Sequence, residues 1–317
     1  MRIARFELDG AVRAGAVDGE TVRPFAEGTD VLDLLDDVAA RDAALAGAGA
    51  PVALDTVRLR APIVPHSIRD FMTFEEHVAG TVRAGGPDAK VTPEWYEAPA
   101  FYFTNVAAVT GPYDDVAIAP GSQVQDFELE VAAVIGRAGF NLSPAQARDH
   151  IAGYIVFNDW SARDVQFREM RVRLGPAKGK DAANTLGPWL VTADELEPYR
   201  RDDRLHLEMT ASINGEPFGS DSLANMGWSF EEMAAYASRG TRVMPGDVLG
   251  SGTCGMGCLA EIWGRTGVRE PPPLAPGDVV ELTVEGIGTL RNRLVAAAEV
   301  IPVPPARPAA HLRTRSY

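Results

Sequence analysis

The stretch that decides the fold reads DFELEVAAVIG and covers residues 126–136. Glu128 and Glu130 stand two positions apart at the start of an apolar run rich in β-branched residues, which indicates a buried strand. Because side chains alternate across a strand, both carboxylates point to the same face. Buried carboxylates lose hydration and repel each other, so the pattern favours a divalent cation bound by oxygen ligands.

A third acid strengthens this interpretation. Asp159 ends a second apolar strand, YIVF at residues 154–157, and would complete a cation site. The alternative is a solvated edge strand that carries two surface acids. The apolar flanks and the third acid favour the metal site.

Composition and charge narrow the class of protein. The chain has 317 residues, which suggests one large and one small domain, and its net charge of −14 argues against binding nucleic acid or anionic membranes. No apolar run approaches the ~20 residues of a membrane helix, and a cytoplasmic location is expected. The two cysteines and five histidines lack zinc-site spacing.

The turn residues and the periodic apolar patterns divide the chain into three predicted regions. Residues 1–60 predict a small α/β module, with hairpin turns at Asp9-Gly10 and Asp18-Gly19 and one helix over 31–45 capped near Asp30. Residues 61–305 form the expected main domain, and residues 306–317 a Pro-rich, extended tail.

Polar residues flank the expected metal site along the chain. Asp70 and His77 lie seven positions apart, so a helix would place them on one face. Arg163 and Gln166 follow Asp159 at a spacing of one helical turn, and the loop LGPAKGK then brings in Lys178 or Lys180. Such a cluster suits an anionic, oxygen-rich ligand.

The combined motifs resemble the fumarylacetoacetate hydrolase family over roughly residues 61–300. The resemblance rests on the E-x-E strand, then FNDWSARDVQ at residues 157–166, LGPAKGK, GPW and GDVLGSGT in that order. It implies a mixed β (α+β) fold, a fumarylacetoacetase-type β-sandwich roll with a small N-terminal domain. It also implies a homodimer.

The resemblance assigns roles to residues of this chain by motif position. Mg²⁺ ligands, with Mn²⁺ or Ca²⁺ as alternatives, fall on Asp70, Glu128, Glu130 and Asp159. The catalytic base falls on His77, which Glu261 orients, and the donors around the reacting oxygens fall on Arg163, Gln166, Lys180 and Thr253. One extra residue before the KGK segment leaves Lys178 as a rival to Lys180, and Met72 replaces the family's tyrosine.

The expected function is metal-dependent hydrolysis of a C–C bond in a 1,3-diketo acid of the acylpyruvate, fumarylpyruvate or fumarylacetoacetate type, as in aromatic catabolism. His77 would activate water, and no Ser or Cys nucleophile is needed. One alternative is an isomerase, tautomerase or decarboxylase of hydroxydienoates or β-keto acids that uses the same site without water attack. An alternative of another class is a non-catalytic, metal-binding structural protein.

Overall fold

A computed structural model describes residues 1–83, 86 and 88–307. The strands of the described residues are β1 (Arg2–Leu8), β2 (Ala11–Asp18), β3 (Thr21–Pro24), β4 (Val52–Ala53), β5 (Arg58–Arg60), β6 (Ser67–Phe71), β7 (Phe101–Thr104), β8 (Val109–Thr110), β9 (Val116–Ala117), β10 (Gln125–Asp126), β11 (Leu129–Ile135), β12 (Gly139–Phe140), β13 (Ile151–Asp159), β14 (Ser161–Ala162), β15 (Asn184–Thr192), β16 (Arg200–Arg201), β17 (Arg204–Leu205), β18 (Glu208–Ile213), β19 (Glu216–Ser222), β20 (Arg242–Val243), β21 (Asp247–Gly250), β22 (Val279–Val284) and β23 (Gly288–Val295). The α-helices are α1 (Val38–Ala46), α2 (Glu75–Val82), α3 (Pro144–Ala147), α4 (Arg163–Met170), α5 (Ala193–Leu196), α6 (Phe230–Ala237) and α7 (Leu259–Thr266).

Two large sheets organise the molecule. The first has 12 strands in the order β4-β3-β2-β1-β15-β13-β11-β21-β6-β7, with β5 paired to β1 and β8 to β15. The second has 5 strands in the order β19-β18-β22-β23-β9. Most neighbours are antiparallel, but β6 runs parallel to β21. The sheets are therefore mixed, as the sequence predicts.

The central strands of the large sheet are buried on both faces. Along β11, Val131 and Ala133 face the core shared with the 5-stranded sheet, whereas Ala132 and Val134 face a second core that includes Ile3. Because alternate residues of β11 enter different cores, its apolar residues run continuously instead of alternating with polar ones. The packing of the two sheets confirms the predicted sandwich with a mixed β (α+β) architecture.

The N-terminal residues extend the large sheet. The hairpin turns at Asp9-Gly10 and Asp18-Gly19 are confirmed, since they connect β1 to β2 and β2 to β3. Strand β1 then pairs with β15, so the predicted N-terminal module shares a sheet with the main domain. The boundary at residue 60 stays a prediction.

The single helix predicted over residues 31–45 is wrong. The structure has a 3₁₀ turn at Val31–Leu34, capped by Asp30, and then α1, capped by Asp37. Each aspartate accepts a hydrogen bond from a backbone N–H two or three positions on. The second cap starts a new helix where the apolar period alone suggests a continuous one.

The shared helix for Asp70 and His77 is also wrong. Asp70 lies on strand β6, and His77 lies in α2, which begins only at Glu75. Between them Thr73 bonds the backbone carbonyl of Ser251 through both its N–H and its hydroxyl. These two bonds hold the chain at Thr73 against the loop that contains Ser251, which is incompatible with a continuous helix through this segment.

Two further expectations concern the chain as a whole. Of the predicted tail, Ala306 and Arg307 are described and exposed, and residues 308–317 lie outside the described residues. Among the helices that the structure describes, none combines the length and apolar character needed to cross a membrane.

Candidate active site and metal centre

Four carboxylates meet where the central strands of the large sheet end. Asp70 comes from β6, Glu130 from β11, Asp159 from the end of β13, and Glu128 from the residue before β11. One oxygen of each lies within 4.8 Å of the others, and all four side chains are buried. The two glutamates of the E-x-E motif therefore lie close together, with Asp70 and Asp159 beside them.

Strand register explains how Asp70 reaches the cluster. Gly250 of β21 pairs with Ala132 on β11 and with Asp70 on β6, which brings β6 within one strand of the two glutamates. A Cβ on Gly250 would lie 2.6 Å from Oδ1 of Asp70. Because glycine has no side chain, position 250 leaves room for the Asp70 carboxylate.

Burial makes this cluster electrostatically unfavourable without a cation. Burial raises the pKa of Glu130 well above its usual range, and the neighbouring Asp70 and Glu128 charges raise it further. Burial likewise raises the pKa of Asp70 and, well above its usual range, that of Asp159, with Lys180 opposing both increases. A positive charge placed close to these carboxylates would therefore stabilise their ionised forms.

Two basic side chains supply part of that charge. The Lys180 ammonium lies 2.5 Å from Oε2 of Glu128 and 2.6 Å from Oδ2 of Asp159. Arg163 pairs with Asp126 and with Oε1 of Glu128, each at 2.7 Å. Burial alone would raise the pKa of Glu128, but Lys180 and Arg163 outweigh it and hold that pKa below its usual range.

The oxygens left without partners support a divalent cation. Among the described residues, Oδ1 of Asp70, Oε1 of Glu130 and Oδ1 of Asp159 are buried and accept no hydrogen bond. Buried oxygens are rarely left unbonded unless an ion or water serves them. Both oxygens of Glu128 already face Arg163 or Lys180. The residues therefore fit a hard cation bound by Asp70, Glu130 and Asp159, with Glu128 beside them.

A histidine–carboxylate pair borders the same cluster. Nδ1 of His77 lies 3.1 Å from Oε2 of Glu261, and both side chains are buried. The N–H of Met256 donates to the same oxygen at 2.8 Å, and Arg265 donates twice to the other one, at 2.7 and 2.9 Å. Glu261 is thereby fixed in one orientation, and it fixes the imidazole in turn.

The remaining predicted residues occupy different positions around the cluster. Gln166 accepts a hydrogen bond at 3.1 Å from Arg163, one turn earlier in α4. Thr253 is buried on the loop after β21, next to Gly252, whose N–H donates to Glu130 at 2.9 Å. Lys178 is 73% exposed and pairs with Asp181, whereas Lys180 is buried in the cluster. Lys180 therefore lies in the candidate site, and Lys178 lies outside it.

Three contacts in the site are not among the sequence predictions. The Tyr102 hydroxyl donates to Asp70 at 2.9 Å and also contacts Asp159. Asp126 bonds Arg163 through one oxygen and the first N–H groups of α7 through both. Arg265 holds Glu261. An isolated tyrosine and a single acid before a strand are too common to reveal such roles, and only their long-range contacts do. Arg265, in contrast, follows Glu261 by four positions in α7, a spacing that indicates a contact once the helix is recognised.

Comparison with known families covers nearly the whole chain. The family model described as "Fumarylacetoacetate (FAA) hydrolase C-terminal" matches residues 67–295, and one described as "Rv2993c-like, N-terminal" matches residues 1–62. Together they exceed half of the chain by a wide margin.

Several curated relatives are similar in sequence. Protein Rv2993c of Mycobacterium tuberculosis is 30% identical over 93% of this chain and 98% of its own length. Oxaloacetate tautomerase YisK of Bacillus subtilis is 30% identical over 76% of this chain and 74% of its own. Fumarylacetoacetase of Arabidopsis thaliana is 30% identical over 63% of this chain. The match spans only 59% of that relative's length.

Solved structures share the fold. Fumarylacetoacetate hydrolase of Exiguobacterium antarcticum superposes with a TM-score of 0.72 at 27% identity, covering 93% of this chain and 99% of that one. A maleylpyruvate hydrolase of Sphingobium, crystallised with manganese(II) and pyruvate, superposes with a TM-score of 0.68 at 22% identity over 94% and 100% of the two chains. At 22% identity the likeness concerns the fold alone.

Proposed function

This chain belongs to the fumarylacetoacetate hydrolase family, and from its site we propose a divalent-cation-dependent hydrolase that cleaves a C–C bond in a 1,3-diketo acid. Acylpyruvates and fumarylpyruvate or fumarylacetoacetate are the substrate class. The observation that carries the proposal is the buried His77–Glu261 pair, 3.1 Å apart, at the edge of the carboxylate cluster. A base oriented by a carboxylate is what activation of water requires.

The carboxylate cluster provides for the cation. Asp70, Glu130 and Asp159, whose side chains each have an oxygen that accepts no hydrogen bond from the described residues, would hold it, with Glu128 beside them. A bound Mg²⁺ supplies a Lewis acid that polarises the oxygens of the keto acid. Hard oxygen ligands suit Mg²⁺ first, with Mn²⁺ and Ca²⁺ as alternatives.

The chain's own residues carry the proton and charge steps. Because Nδ1 of His77 faces Glu261, its other ring nitrogen is the one that takes a proton from water. The hydroxide adds to the distal carbonyl, and Lys180 and Arg163, with Gln166 and Thr253 nearby, stabilise the oxyanion. The bond to the methylene carbon then breaks, that carbon takes up a proton, and water has been added across the bond. The products are a carboxylic acid and a shorter keto acid.

A second candidate is keto–enol tautomerisation of a β-keto acid. The likeness to oxaloacetate tautomerase YisK favours it, because that relative matches about three quarters of this chain. His77 would then move one proton between carbon and oxygen, and no water would attack. The His77–Glu261 pair serves either reaction, so the fate of the carbon skeleton separates them.

The test follows the carbon skeleton of the substrate by NMR. Acetylpyruvate, fumarylpyruvate and oxaloacetate are incubated with the protein in Mg²⁺ or in chelator. We expect cleavage of a diketo acid to two acids in Mg²⁺ only, and a loss of at least ~10²-fold in kcat for His77→Ala. His206→Ala is the matched control because His206 is exposed and outside the site.

Each other outcome has a defined meaning. Faster oxaloacetate enolisation without cleavage of any diketo acid would replace the hydrolase by the tautomerase, and release of CO₂ would replace it by a decarboxylase. Cleavage that survives His77→Ala would remove His77 as the base. Absence of every reaction, together with tight cation binding, would favour a structural protein. Family resemblance also supports a homodimer, which light scattering would measure.

A further inference from the structure

A second group of metal-ligating atoms shares Glu128 with the four-carboxylate cluster. His77 in α2, Glu128 before β11 and Cys258 at the start of α7 each offer one atom, and these atoms lie within 4.8 Å of one another. All three side chains are buried. Sγ of Cys258 is 3.9 Å from Nδ1 of His77. The group therefore combines nitrogen, oxygen and sulfur, whereas the four-carboxylate cluster offers oxygen only.

The distances and the ligand types suit a softer cation than Mg²⁺. Zn–S bonds of about 2.3 Å and Zn–N bonds of about 2.0–2.1 Å place two tetrahedral ligands roughly 3.6 Å apart. The separation of 3.9 Å between Sγ of Cys258 and Nδ1 of His77 is close to that value. Thiolate and imidazole prefer Zn²⁺ and related ions over Mg²⁺. We infer that His77, Glu128 and Cys258 form a second cation site, selective for Zn²⁺ and similar thiophilic divalent ions.

Glu128 can serve this site without leaving an unpaired basic group. Its two oxygens face Arg163 and Lys180, and a cation must displace one of them. Arg163 keeps its ion pair with Asp126 at 2.7 Å, and Lys180 keeps Asp159 at 2.6 Å. Binding converts the Cys258 thiol to a thiolate and releases one proton to solvent, so the protein gains one net positive charge for each divalent ion bound.

Occupation of this site would inhibit the enzyme. This consequence rests on the proposed function, because it follows from His77 acting as the base. Binding through Nδ1 would break its 3.1 Å contact with Glu261. Binding through the other ring nitrogen would occupy the atom that takes the proton from water. The site thus links activity to the free concentration of a thiophilic metal.

Cobalt(II) spectroscopy tests the site without any assay of activity. One equivalent of Co²⁺ is added to the protein in a large excess of Mg²⁺, which fills the oxygen cluster. We expect a thiolate-to-cobalt charge-transfer band in the near ultraviolet, displaced by Zn²⁺. Cys258→Ser should abolish the band. Cys254→Ser is the matched control and should keep it, since Cys254 is equally buried but absent from the group.

Two results would overturn the inference. One is wild-type protein without the band, and the other is a band that persists in a Cys258→Ser protein with native circular dichroism. If that variant does not fold, X-ray absorption of the wild-type zinc protein decides. One sulfur neighbour at about 2.3 Å supports the site, and oxygen and nitrogen neighbours only refute it.

An activity measurement distinguishes this inference from the proposed function. In saturating Mg²⁺, Zn²⁺ should inhibit the wild-type enzyme, and Cys258→Ser should require at least ~10-fold more Zn²⁺ for the same inhibition. A protein with the band but no hydrolysis would keep the site and refute the function. Hydrolysis that Zn²⁺ does not affect in protein showing the band would refute inhibition.

Discussion

Lys180 lies inside the candidate site, whereas the neighbouring lysine in the sequence lies at the surface. Its ammonium contacts Glu128 and Asp159 inside the protein, whereas Lys178, two positions earlier, is 73% exposed. The neighbouring carboxylates hold the pKa of Lys180 above its usual range although burial alone would lower it. The neighbouring carboxylates therefore favour the charged form of Lys180 beside the carboxylate cluster.

Replacement of the two lysines gives a matched prediction. Lys180→Met should lower kcat by about 10²–10³-fold in saturating Mg²⁺, because a preorganised donor to the oxyanion is lost. Lys178→Met should stay within about twofold, since its side chain is exposed and, among the described residues, bonds only to Asp181. Steady-state kinetics of both variants measures the difference, and equal losses would contradict the assignment of Lys180.

At the residue scale the sequence reveals short-range patterns and misses long-range ones. Glu128 and Glu130 are detectable because a spacing of two on a strand fixes their common face. Tyr102 reaches Asp70 from 32 positions away, and only the pairing of β6 with β7 brings them together. The choice between Lys178 and Lys180 depends on the path of the preceding loop, which no period describes.

The crossing of α2 and α7 sets the contact between His77 and Glu261. The two helices approach through glycines, since a Cβ on Gly264 would lie 2.4 Å from the carbonyl oxygen of Gly80. A Cβ on Gly80 would lie 2.4 Å from Cγ of Glu261 and 3.0 Å from Nε of Arg265. The absence of both side chains lets the two helices come this close.

Substitution of Gly80 tests this packing. Alanine is favoured over glycine in a helix by about 1 kcal/mol, so Gly80→Ala would stabilise α2 taken alone. We expect instead a net loss of about 1–3 kcal/mol in the free energy of unfolding, with reduced kcat, because Glu261 must move. Gly49→Ala is the control, since its nearest neighbour would be 3.7 Å away. Denaturation and kinetics measure both, and a stabilised, fully active Gly80→Ala would contradict the proposed role of the crossing.

At the element scale the errors have identifiable causes. In strand β6 the four residues from Ile68 to Phe71 are all buried, so both faces are covered and SIRDF shows no alternation that would distinguish it from a helix. The Ser143–Gln146 capping box, in contrast, is a local feature, and α3 begins at Pro144 directly after Ser143. Local caps are predictable, and the environment of a strand is not.

The whole molecule is expected to unfold as one unit. Ile3 of β1 is fully buried, pairs with Leu190 of β15, and belongs to the same core as Val134 and Ile155. The five tryptophans, by contrast, all lie beyond residue 90. Their fluorescence therefore reports mainly on the main domain, and Trp189 also packs against the N-terminal cluster that contains Ala4 and Phe6.

Ile3→Ala makes this expectation measurable. We expect a loss of about 2–5 kcal/mol, and tryptophan fluorescence and circular dichroism should shift to the same new midpoint. Val12→Ala on the adjacent strand should change stability by no more than about 0.5 kcal/mol, because Val12 is 51% exposed. An unchanged fluorescence midpoint in Ile3→Ala would show that the first strands unfold independently.

The sequence predicts a small N-terminal module but not its attachment. Its turns are local, so Asp9-Gly10 and Asp18-Gly19 identify its hairpins. The strand that completes its sheet lies nearly 190 positions further along the chain, and no short pattern marks that pairing.

Asp126 gives the molecule a common reference point for two groups that must act together. Its carboxylate binds Arg163 and also the first N–H groups of the helix that carries Glu261, 133 positions away at Leu259. Useful catalytic geometry tolerates displacements of about 0.5 Å. A displacement of Asp126 would be expected to carry both attachments with it and so to preserve much of the distance between them. One carboxylate thus ties Arg163 and the start of α7 to each other.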